Sequence, residues 1–332
     1  MSKVATPAMN DLLRRSVSNN TTEAAQASHQ LFAELGGVIR EGIMAGDIVS
    51  GIYQNVPFAP GAEVEFPLHY LAPGTEKDFV AYTIPRHGYI PQRTIEGDYV
   101  KVPTYAIGNS IDWLIKYARD ARWDIVSAAM QTLKDGVIQK KNTDGWNTLL
   151  TAGVDRNVVV FDSDAGAGQF TKRLISLMKV IMRRNGGGNS TSMNRSRLTD
   201  LYLSPECMED IANWGVDQID EVTRREFYLR EDGGVKSIFS VNLHDIDELG
   251  ESQQFQTYYT GQLAGTLAAS DVELLVGLDL SKANAFVSPV VAPGWEQYDD
   301  PALLRHQKQG VFGWTQTGFA CLDGRRIILG SC

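Results

Sequence analysis

The sequence predicts a folded α+β protein, and three features of its 332 residues indicate that class. Hydrophobic residues make up 43% of the chain and charged residues 21%, which are close to the averages of globular proteins. Residues 62–70 alternate between apolar and polar, which is the period of a β-strand. Residues 110–141 instead repeat their apolar positions every three or four residues, which is the period of a helix.

The charge and the cysteines disfavour several classes of function. The net charge is −9, whereas chains that grip nucleic acid usually carry concentrated positive charge, so sequence-specific DNA binding is disfavoured. Cys207, Cys321 and Cys332 are odd in number and include no Cys-x-x-Cys spacing, so we expect three free thiols rather than a disulfide framework or a zinc ribbon. No stretch approaches the ~20 apolar residues of a membrane span, so no membrane partner is expected.

The N-terminal segment is polar. Residues 1 to about 27 contain little that could seed a core, and we expect an extended or mobile arm. Apolar residues from Leu31 to Ile43 then follow helical spacing. Gly36 and Gly37 interrupt this pattern, so the helix breaks or begins there.

A proline-rich segment follows, with seven of the twelve prolines between residues 50 and 107. Within it, Ala62, Val64, Phe66, Leu68 and Tyr70 point to one side of a predicted strand, and the residues between them point to the other. Return strands are expected at Phe79–Ile84 and Tyr99–Ile107. Because isolated hairpins are barely stable in water, this long arm should need a neighbouring subunit to lie on.

The strongest periodic pattern in the chain predicts a helix from Ser110 to about Lys141. A helix of some thirty residues would be about 45 Å long. The segment contains no proline and no sustained heptads, which favours a spine helix of one elongated domain over a coiled coil.

The second half of the chain predicts mixed α/β structure. A helix with Phe170 on its apolar side should end at Asn185, and Ser204 should cap another helix that begins at Pro205. Strands are expected at the following segments: Leu201–Leu203, Lys236–Asn242, Val272–Val276 and Ala285–Val290. A closing hairpin is expected around Asp323-Gly324, a pair typical of type I′ turns.

Sequence patterns for chemistry are nearly absent. No phosphate-binding loop occurs, and Asp162, Asp164 and Gly166 fail the calcium-loop pattern, so a solvated polar turn is expected there. The five histidines show no metal-ligand spacing, and the cluster from His244 to Glu248 lacks a nucleophile motif. We therefore predict no catalytic, cofactor-binding or metal-binding residues, and a structural protein rather than an enzyme.

The order of these elements resembles the HK97-type major capsid protein of tailed bacteriophages. Ala62–Ile107 is similar to its E-loop, Ile111–Lys141 to its spine helix, Leu201–Glu206 to the strand-to-helix entry of its A-domain, and Leu322–Leu329 to its closing hairpin. The resemblance implies an HK97-like fold with these parts: N-terminal arm 1–50, E-loop 51–107, P-domain with spine helix 108–185, A-domain 186–285, and return strands of the P-domain 286–332.

The resemblance also implies a function and partners. Many copies would assemble as hexamers and pentamers into an icosahedral shell that encloses double-stranded DNA without reading its sequence. Portal, scaffolding and decoration proteins would be partners, and the protein would be assembled in the host cytoplasm and found in the virion. The E-loop would lie over a neighbouring subunit, with these candidate contact residues: Glu63, Glu65, Phe66, His69, Lys77 and Phe79. Lys77 is also the candidate for a crosslink between subunits.

Two alternatives stay open at this point. An encapsulin-like compartment has the same fold but holds protein cargo. A soluble α/β enzyme with a site assembled from distant residues would leave no local motif, although the long hairpin is hard to place in such a protein.

Overall fold

A computed structural model describes most of the chain, and the following residues are the basis of the description: 7–16, 22–24, 26–28, 30–31, 48–68, 98–120, 122–156, 158–166, 168–185, 196–214, 236–262, 273–282 and 284–332. Most of the helix predicted at Leu31–Ile43 and the strand predicted at Phe79–Ile84 lie outside these ranges. Within them, no helix combines the length and the apolar character that crossing a bilayer requires.

Helices and strands alternate irregularly along the chain. The α-helices are α1 Pro7–Arg15, α2 Ile48–Ile52, α3 Ile115–Arg119, α4 Trp123–Val154, α5 Lys172–Asn185, α6 Pro205–Asn213 and α7 Gln254–Gln262. The strands are β1 Gln54–Phe58, β2 Glu65–Leu68, β3 Asp98–Lys101, β4 Tyr105–Leu114, β5 Val159–Val160, β6 Asp200–Leu203, β7 Lys236–Ile238, β8 Val241–Asp245, β9 Leu274–Leu278, β10 Phe286–Asp299, β11 Lys308–Thr317, β12 Ala320–Cys321 and β13 Ile327–Ser331. Within the described residues, 3₁₀ turns lie at Asp247–Leu249, Pro301–His306 and Gly324–Arg326.

The chain divides into two compact units, each built from separated segments. Unit 1 contains residues 1–65, 101–145 and 287–320. Unit 2 contains residues 66–100, 146–286 and 321–332.

The main sheet of unit 1 joins strands that are distant in sequence. Its strands run in the order β1–β10–β11–β4. β1 is parallel to β10, with Gln54 opposite Val287. β11 is antiparallel to β10 and to β4, and its pairing with β4 extends without interruption from Lys308–Leu114 to Thr317–Tyr105.

The covered face of this sheet packs on helical residues of the same unit. Val126, Leu133 and Val137 of α4 are buried in one cluster with Trp113 of β4 and Trp295 of β10. The burial of this side follows the strand period, since Ile107 and Trp113 are buried while their neighbours are exposed.

The N-terminal arm differs from the expectation of an extended segment. α1 is helical, and Leu13 is fully buried in the core of unit 1, as is Leu31. Two leucines placed on the inner face of short helical segments are enough to anchor them, because burying one such side chain contributes ~1.5–3 kcal/mol.

The prediction of a helix from Ser110 was wrong at both ends. Residues 105–114 form β4, and the long helix α4 begins at Trp123 and continues to Val154, 32 residues in all. The predicted strand Tyr99–Ile107 is likewise divided between β3 and β4. Ile111 and Leu114 satisfy helical spacing by coincidence, and pairing with the whole length of β11 decides in favour of the strand.

Gly136 lets β4 approach α4 closely. A Cβ at Gly136 would lie 2.8 Å from Nδ2 of Asn109, which donates a hydrogen bond to the carbonyl of Leu133. Glycine is unfavourable inside a helix, and the close contact with the adjacent sheet explains why Gly136 occurs there.

The sheet of unit 2 runs in the order β5–β13–β9–β6–β8–β7, and its central strands are buried on both faces. Leu201 and Leu203 pack in one core cluster with residues of α5 and α6. Tyr202, between them in sequence, points to the other face and packs edge-on against Trp146 at 5.2 Å. Helical residues thus cover both sides of this sheet.

Several local predictions for unit 2 are confirmed. The predicted helix after residue 170 is α5, and Phe170 and Leu174 are buried. β6 is a short buried strand, and the Ser204 hydroxyl caps α6 by accepting a hydrogen bond from the Cys207 amide.

Two turn predictions for unit 2 were wrong. The strand predicted at Lys236–Asn242 is a tight hairpin, because Phe239 and Ser240 have φ values of 53° and 62°, as a type I′ turn requires. Asp323-Gly324, where that turn was expected, instead opens a 3₁₀ turn, since the Asp323 side chain accepts hydrogen bonds from the Arg325 amide and guanidinium.

Candidate functional site

A two-stranded ribbon carries the predicted contact residues that the structure describes. β2 and β3 pair only with each other among the described residues, and the ladder continues where the Val102 amide donates to the Val64 carbonyl at 3.0 Å. Val64 is buried and Glu63 and Glu65 are exposed, as the predicted alternation requires.

Glu63 and Glu65 share one cation of their own chain. Lys101 Nζ lies 2.5 Å from the Glu63 carboxylate and 3.1 Å from that of Glu65. These hydrogen bonds raise the pKa of Lys101. All three side chains stay exposed, so the ribbon presents a charged edge held in a fixed pattern.

The remaining predicted contact residues are placed as follows. Phe66 is half-buried on β2, and Tyr99 on β3 is 64% exposed. His69, Lys77 and Phe79 lie outside the described residues, so their predicted roles stay predictions.

An aromatic ladder lies on the exposed face of the unit 1 sheet, and we define it as Tyr298, Phe312 and Trp314. Tyr298 stacks on Phe312 with 5.9 Å between ring centroids and on Trp314 with 5.1 Å. Phe312 and Trp314 are 5.9 Å apart. Tyr298 is nevertheless 48% exposed and Trp314 38% exposed, so the ladder meets solvent.

Strand geometry explains why the three rings share a face. Phe312 and Trp314 are two residues apart on β11, and Tyr298 is directly opposite Phe312 on β10. Gly313, between the two β11 rings, faces the other side, where a Cβ would lie 2.3 Å from a ring carbon of Trp295. The sheet therefore buries Trp113 and Trp295 on one face and exposes Trp314 on the other.

Small and polar residues border the ladder on β4. Ser110 and Gly108 are opposite Phe312 and Trp314, and both are exposed. Further along, Lys308 binds Asp112 at 2.6 Å. An aromatic centre with a polar rim is the composition typical of protein–protein interfaces.

The contact of these three rings was not predicted from the sequence. Nothing in the local sequence connects Trp314 to Tyr298. The alternation of residues 311–317 is visible in the sequence, yet only the pairing with β10 brings the third ring to the same face.

The acidic turn around Asp162 is held by contacts with other side chains of the protein. Asp162 accepts hydrogen bonds from the Asp164 amide and the Thr171 hydroxyl, and Arg173 pairs with both aspartates. The guanidinium of Arg173 thus pairs with the two carboxylates of this turn.

His244 is part of a small polar group on the unit 2 sheet. Its ring stacks on Tyr202, and its Nε2 lies 3.0 Å from the Asp200 carboxylate. Burial alone would raise the pKa of Asp200, but hydrogen bonds from His244, Thr199 and Asn242 outweigh it and lower that pKa. His244 and Asp200 thus belong to a hydrogen-bond network that joins β6 to β8.

Two of the three cysteines come together, which the sequence analysis did not foresee. Cys207 Sγ and Cys332 Sγ lie 3.5 Å apart beside the carboxylate of Glu273. The described residues contain this one group of cysteine, histidine or acidic side chains with the spacing of metal ligands.

Comparisons with known proteins identify the fold. No protein-family model matches the chain, and no curated protein matches it by sequence. Among solved structures, the chain is similar to the capsid asymmetric unit of cyanophage Pam1, with a TM-score of 0.54, 11% identity and coverage of 84% of this chain and 87% of that one.

Two further structures agree. A structure of Microbacterium phage Oxtober96 gives a TM-score of 0.57 at 8% identity, covering 86% of this chain and 90% of that one. The capsid of Myoviridae phage XM1 gives 0.51 at 10% identity, covering 82% and 86%. The predicted fold is thereby confirmed: the chain has the HK97-like α+β fold of tailed-phage capsid proteins.

Proposed function

We propose that this protein is the major capsid protein of a tailed bacteriophage, which self-assembles into an icosahedral shell of hexamers and pentamers around double-stranded DNA. The observation that carries the proposal is the extent of the structural likeness. It covers more than four-fifths of both chains in each comparison above, so the likeness is not confined to one small module.

The open surfaces of the chain support a role in assembly. The β2–β3 ribbon is a two-stranded sheet, which is marginal by itself and gains stability from a neighbour. Among the described residues, its two strands pair only with each other, and an exposed aromatic ladder is a surface that native proteins usually cover with a partner. We propose that the ribbon, with Glu63, Glu65 and Phe66, lies on an adjacent subunit, and that His69, Lys77 and Phe79 extend the same contact.

The parts of the fold take names within this proposal. Residues 1–50 would be the N-terminal arm, 51–107 the E-loop, and 186–285 most of the A-domain. Residues 108–185 and 286–332 would form the P-domain, whose spine helix is α4 and not Ile111–Lys141.

A shell also needs other components. Portal, scaffolding and decoration proteins would be partners, assembly would occur in the host cytoplasm, and the protein would reside in the virion. The net charge of −9 favours a shell that encloses DNA without binding it tightly.

Expression of the full chain tests the proposal. We expect closed shells, or rings of five and six subunits, by negative-stain electron microscopy and light scattering. A co-expressed scaffolding protein from the same genome should increase the yield of closed shells.

Three outcomes would contradict the proposal in different ways. If the protein stays monomeric at every protein and salt concentration, with or without the co-expressed protein, then it does not form a shell. Particles that contain a protein cargo and no DNA would indicate an encapsulin-like compartment. Turnover of a substrate by that monomer would favour an enzyme with a dispersed site.

A further inference from the structure

Three potential ligand atoms converge in unit 2. Cys207 Sγ lies 3.5 Å from Cys332 Sγ and 2.9 Å from Oε2 of Glu273. Cys332 Sγ is 4.0 Å from the same carboxylate oxygen. Cys207 is fully buried, whereas Glu273 and Cys332 are partly exposed, so the group is open to solvent on one side.

Secondary structure fixes all three positions. Glu273 and Cys332 extend the β9–β13 ladder by one residue pair, since the amide of each donates to the carbonyl of the other, at 3.2 and 3.1 Å. Directly opposed residues on antiparallel strands project to the same face. Cys207 lies in the first turn of α6, where the helix dipole favours a thiolate.

The spacing of the three atoms fits a tetrahedral metal ion. Zinc–sulfur bonds of ~2.3 Å and zinc–oxygen bonds of ~2.0 Å place two sulfurs about 3.8 Å apart and a sulfur and an oxygen about 3.5 Å apart. The observed distances of 3.5, 2.9 and 4.0 Å scatter around these values, so small rotamer adjustments suffice.

The described surroundings of these three atoms are acidic. The carboxylates of Glu206 and Asp210 lie close enough to raise the pKa of Glu273, to which burial contributes most. Among the described residues, Glu273 has no lysine, arginine or histidine nitrogen within ion-pair distance, and Glu206 Oε2 is buried without a hydrogen-bond partner.

We propose that Cys207, Glu273 and Cys332 form a binding site for a zinc ion. Binding releases the thiol protons of both cysteines to solvent, and each thiolate and the Glu273 carboxylate donate an electron pair to the metal. No oxidant or reductant is required. A water molecule from the open side completes a four-ligand shell. All three ligands belong to unit 2, so the site forms whether or not the protein assembles into a shell.

Cobalt substitution tests the site directly. We expect the full-length protein, purified under reducing conditions, to bind about one Co²⁺ per subunit with the thiolate-to-cobalt charge-transfer absorption of a two-sulfur site. Zinc should displace the cobalt and abolish that absorption. Cys207→Ser and Cys332→Ser should each weaken Zn²⁺ binding at least about 100-fold, beyond the 10–100-fold typical of losing only a partner of a ligand.

The third cysteine supplies the matched control. Cys321 lies beside Asp323, and burial raises the pKa of its thiol to about 12. Cys321→Ser should leave the cobalt spectrum and the stoichiometry unchanged. Glu273→Gln, which keeps the shape of the side chain, should weaken Zn²⁺ binding while preserving sulfur-to-metal absorption, and circular dichroism would verify that each variant folds.

Several results would overturn the zinc site. One is the absence of charge-transfer absorption in the folded wild-type protein, and another is its equal loss in Cys321→Ser. A third is a disulfide between Cys207 and Cys332, because it would consume both thiols. It would appear as a protein mass lower by two hydrogens after reducing purification, and as two linked peptides after digestion. None of these results bears on shell assembly, which is scored by particle formation alone.

Discussion

The central strands of the six-stranded sheet of unit 2 are buried on both faces. The main sheet of unit 1 is instead buried on one face and exposes the aromatic ladder on the other. In unit 2, every residue of β6, β9 and β13 is buried. In unit 1, β11 and β4 alternate between buried and exposed residues. The sheet of unit 2 is thus covered within its own chain, whereas the sheet of unit 1 has an exposed face that a second chain can cover.

The same contrast holds for ion pairs. Arg326 and Asp279 in unit 2 are 2.6 Å apart and almost fully buried, and Asp323 binds the other side of the Arg326 guanidinium. Lys308 and Asp112 in unit 1 are also 2.6 Å apart but exposed to solvent. Equal distances therefore belong to interactions of very different energetic weight.

The largest expected effect comes from Asp279→Ala. Its carboxylate also accepts a hydrogen bond from the Arg197 amide, so its loss leaves Arg326 and that amide without their main acceptor. We expect the free energy of unfolding to fall by ~3–5 kcal/mol, measured by urea denaturation of the unassembled subunit. The matched control is Asp112→Ala, which should leave that free energy unchanged; similar losses in both variants would break the contrast.

Acidic pH should lower the stability of unit 2, because it protonates the Asp323 carboxylate. Burial raises the pKa of this carboxyl, but hydrogen bonding and the charges of Arg325 and Arg326 outweigh burial and lower it below its usual value. A lowered pKa in the folded state contributes stability above the unfolded value of about pH 4, and that stability is lost as the pH falls through the folded pKa.

The variant Asp323→Asn isolates this contribution. Its stability deficit in urea should be largest near neutral pH and should shrink as wild type and variant are compared at increasingly acidic pH below about 4. A deficit that is constant with pH would mean that packing, and not the charge of Asp323, stabilises the 3₁₀ turn.

A smaller effect on folding is expected from the aromatic ladder. Tyr298→Ser removes stacking contacts that are worth ~1 kcal/mol, and the free energy of unfolding should fall by about that amount. The yield of assembled shells should fall far more, because we expect an adjacent subunit to cover the ladder. Phe161, which is 64% exposed in unit 2, provides the control: Phe161→Ser should assemble normally.

The smallest net effect is expected at the covered face of unit 1. Gly136→Ala should gain ~1 kcal/mol of helix propensity and lose ~1 kcal/mol when Asn109 is pushed away from Leu133, leaving stability nearly unchanged. In an Asn109→Ala background the same glycine substitution should stabilise by ~1 kcal/mol, a difference that a double-mutant cycle measures. Equal effects in both backgrounds would mean that Asn109 does not restrict this position.

How far the sequence predicts this molecule depends on the range of the interaction involved. The Ser204 cap depends on residues of the same turn, and the hydrophobic run of β6 is local, and both were predicted correctly. The strand β4 was misassigned because its partner β11 lies about two hundred residues later in the chain.

The candidate sites show the same limit more strongly. The alternation of Glu63, Val64 and Glu65 predicts the exposed edge of the ribbon. Cys207 and Cys332 are 125 residues apart in sequence, and neither has a local pattern typical of a metal ligand. Only the ladder between β9 and β13 brings Glu273 and Cys332 together beside α6.

The pairing of β1 and β4 with strands from the end of the chain has a consequence for the order of folding. During synthesis, both strands emerge from the ribosome long before β10 and β11, which lie between them in the sheet. Contacts between such distant segments form slowly, because the intervening chain must first be closed into a loop. The exposed face of unit 1 therefore cannot form on a nascent chain that ends before Lys308, and incomplete subunits are kept out of any assembly that uses it.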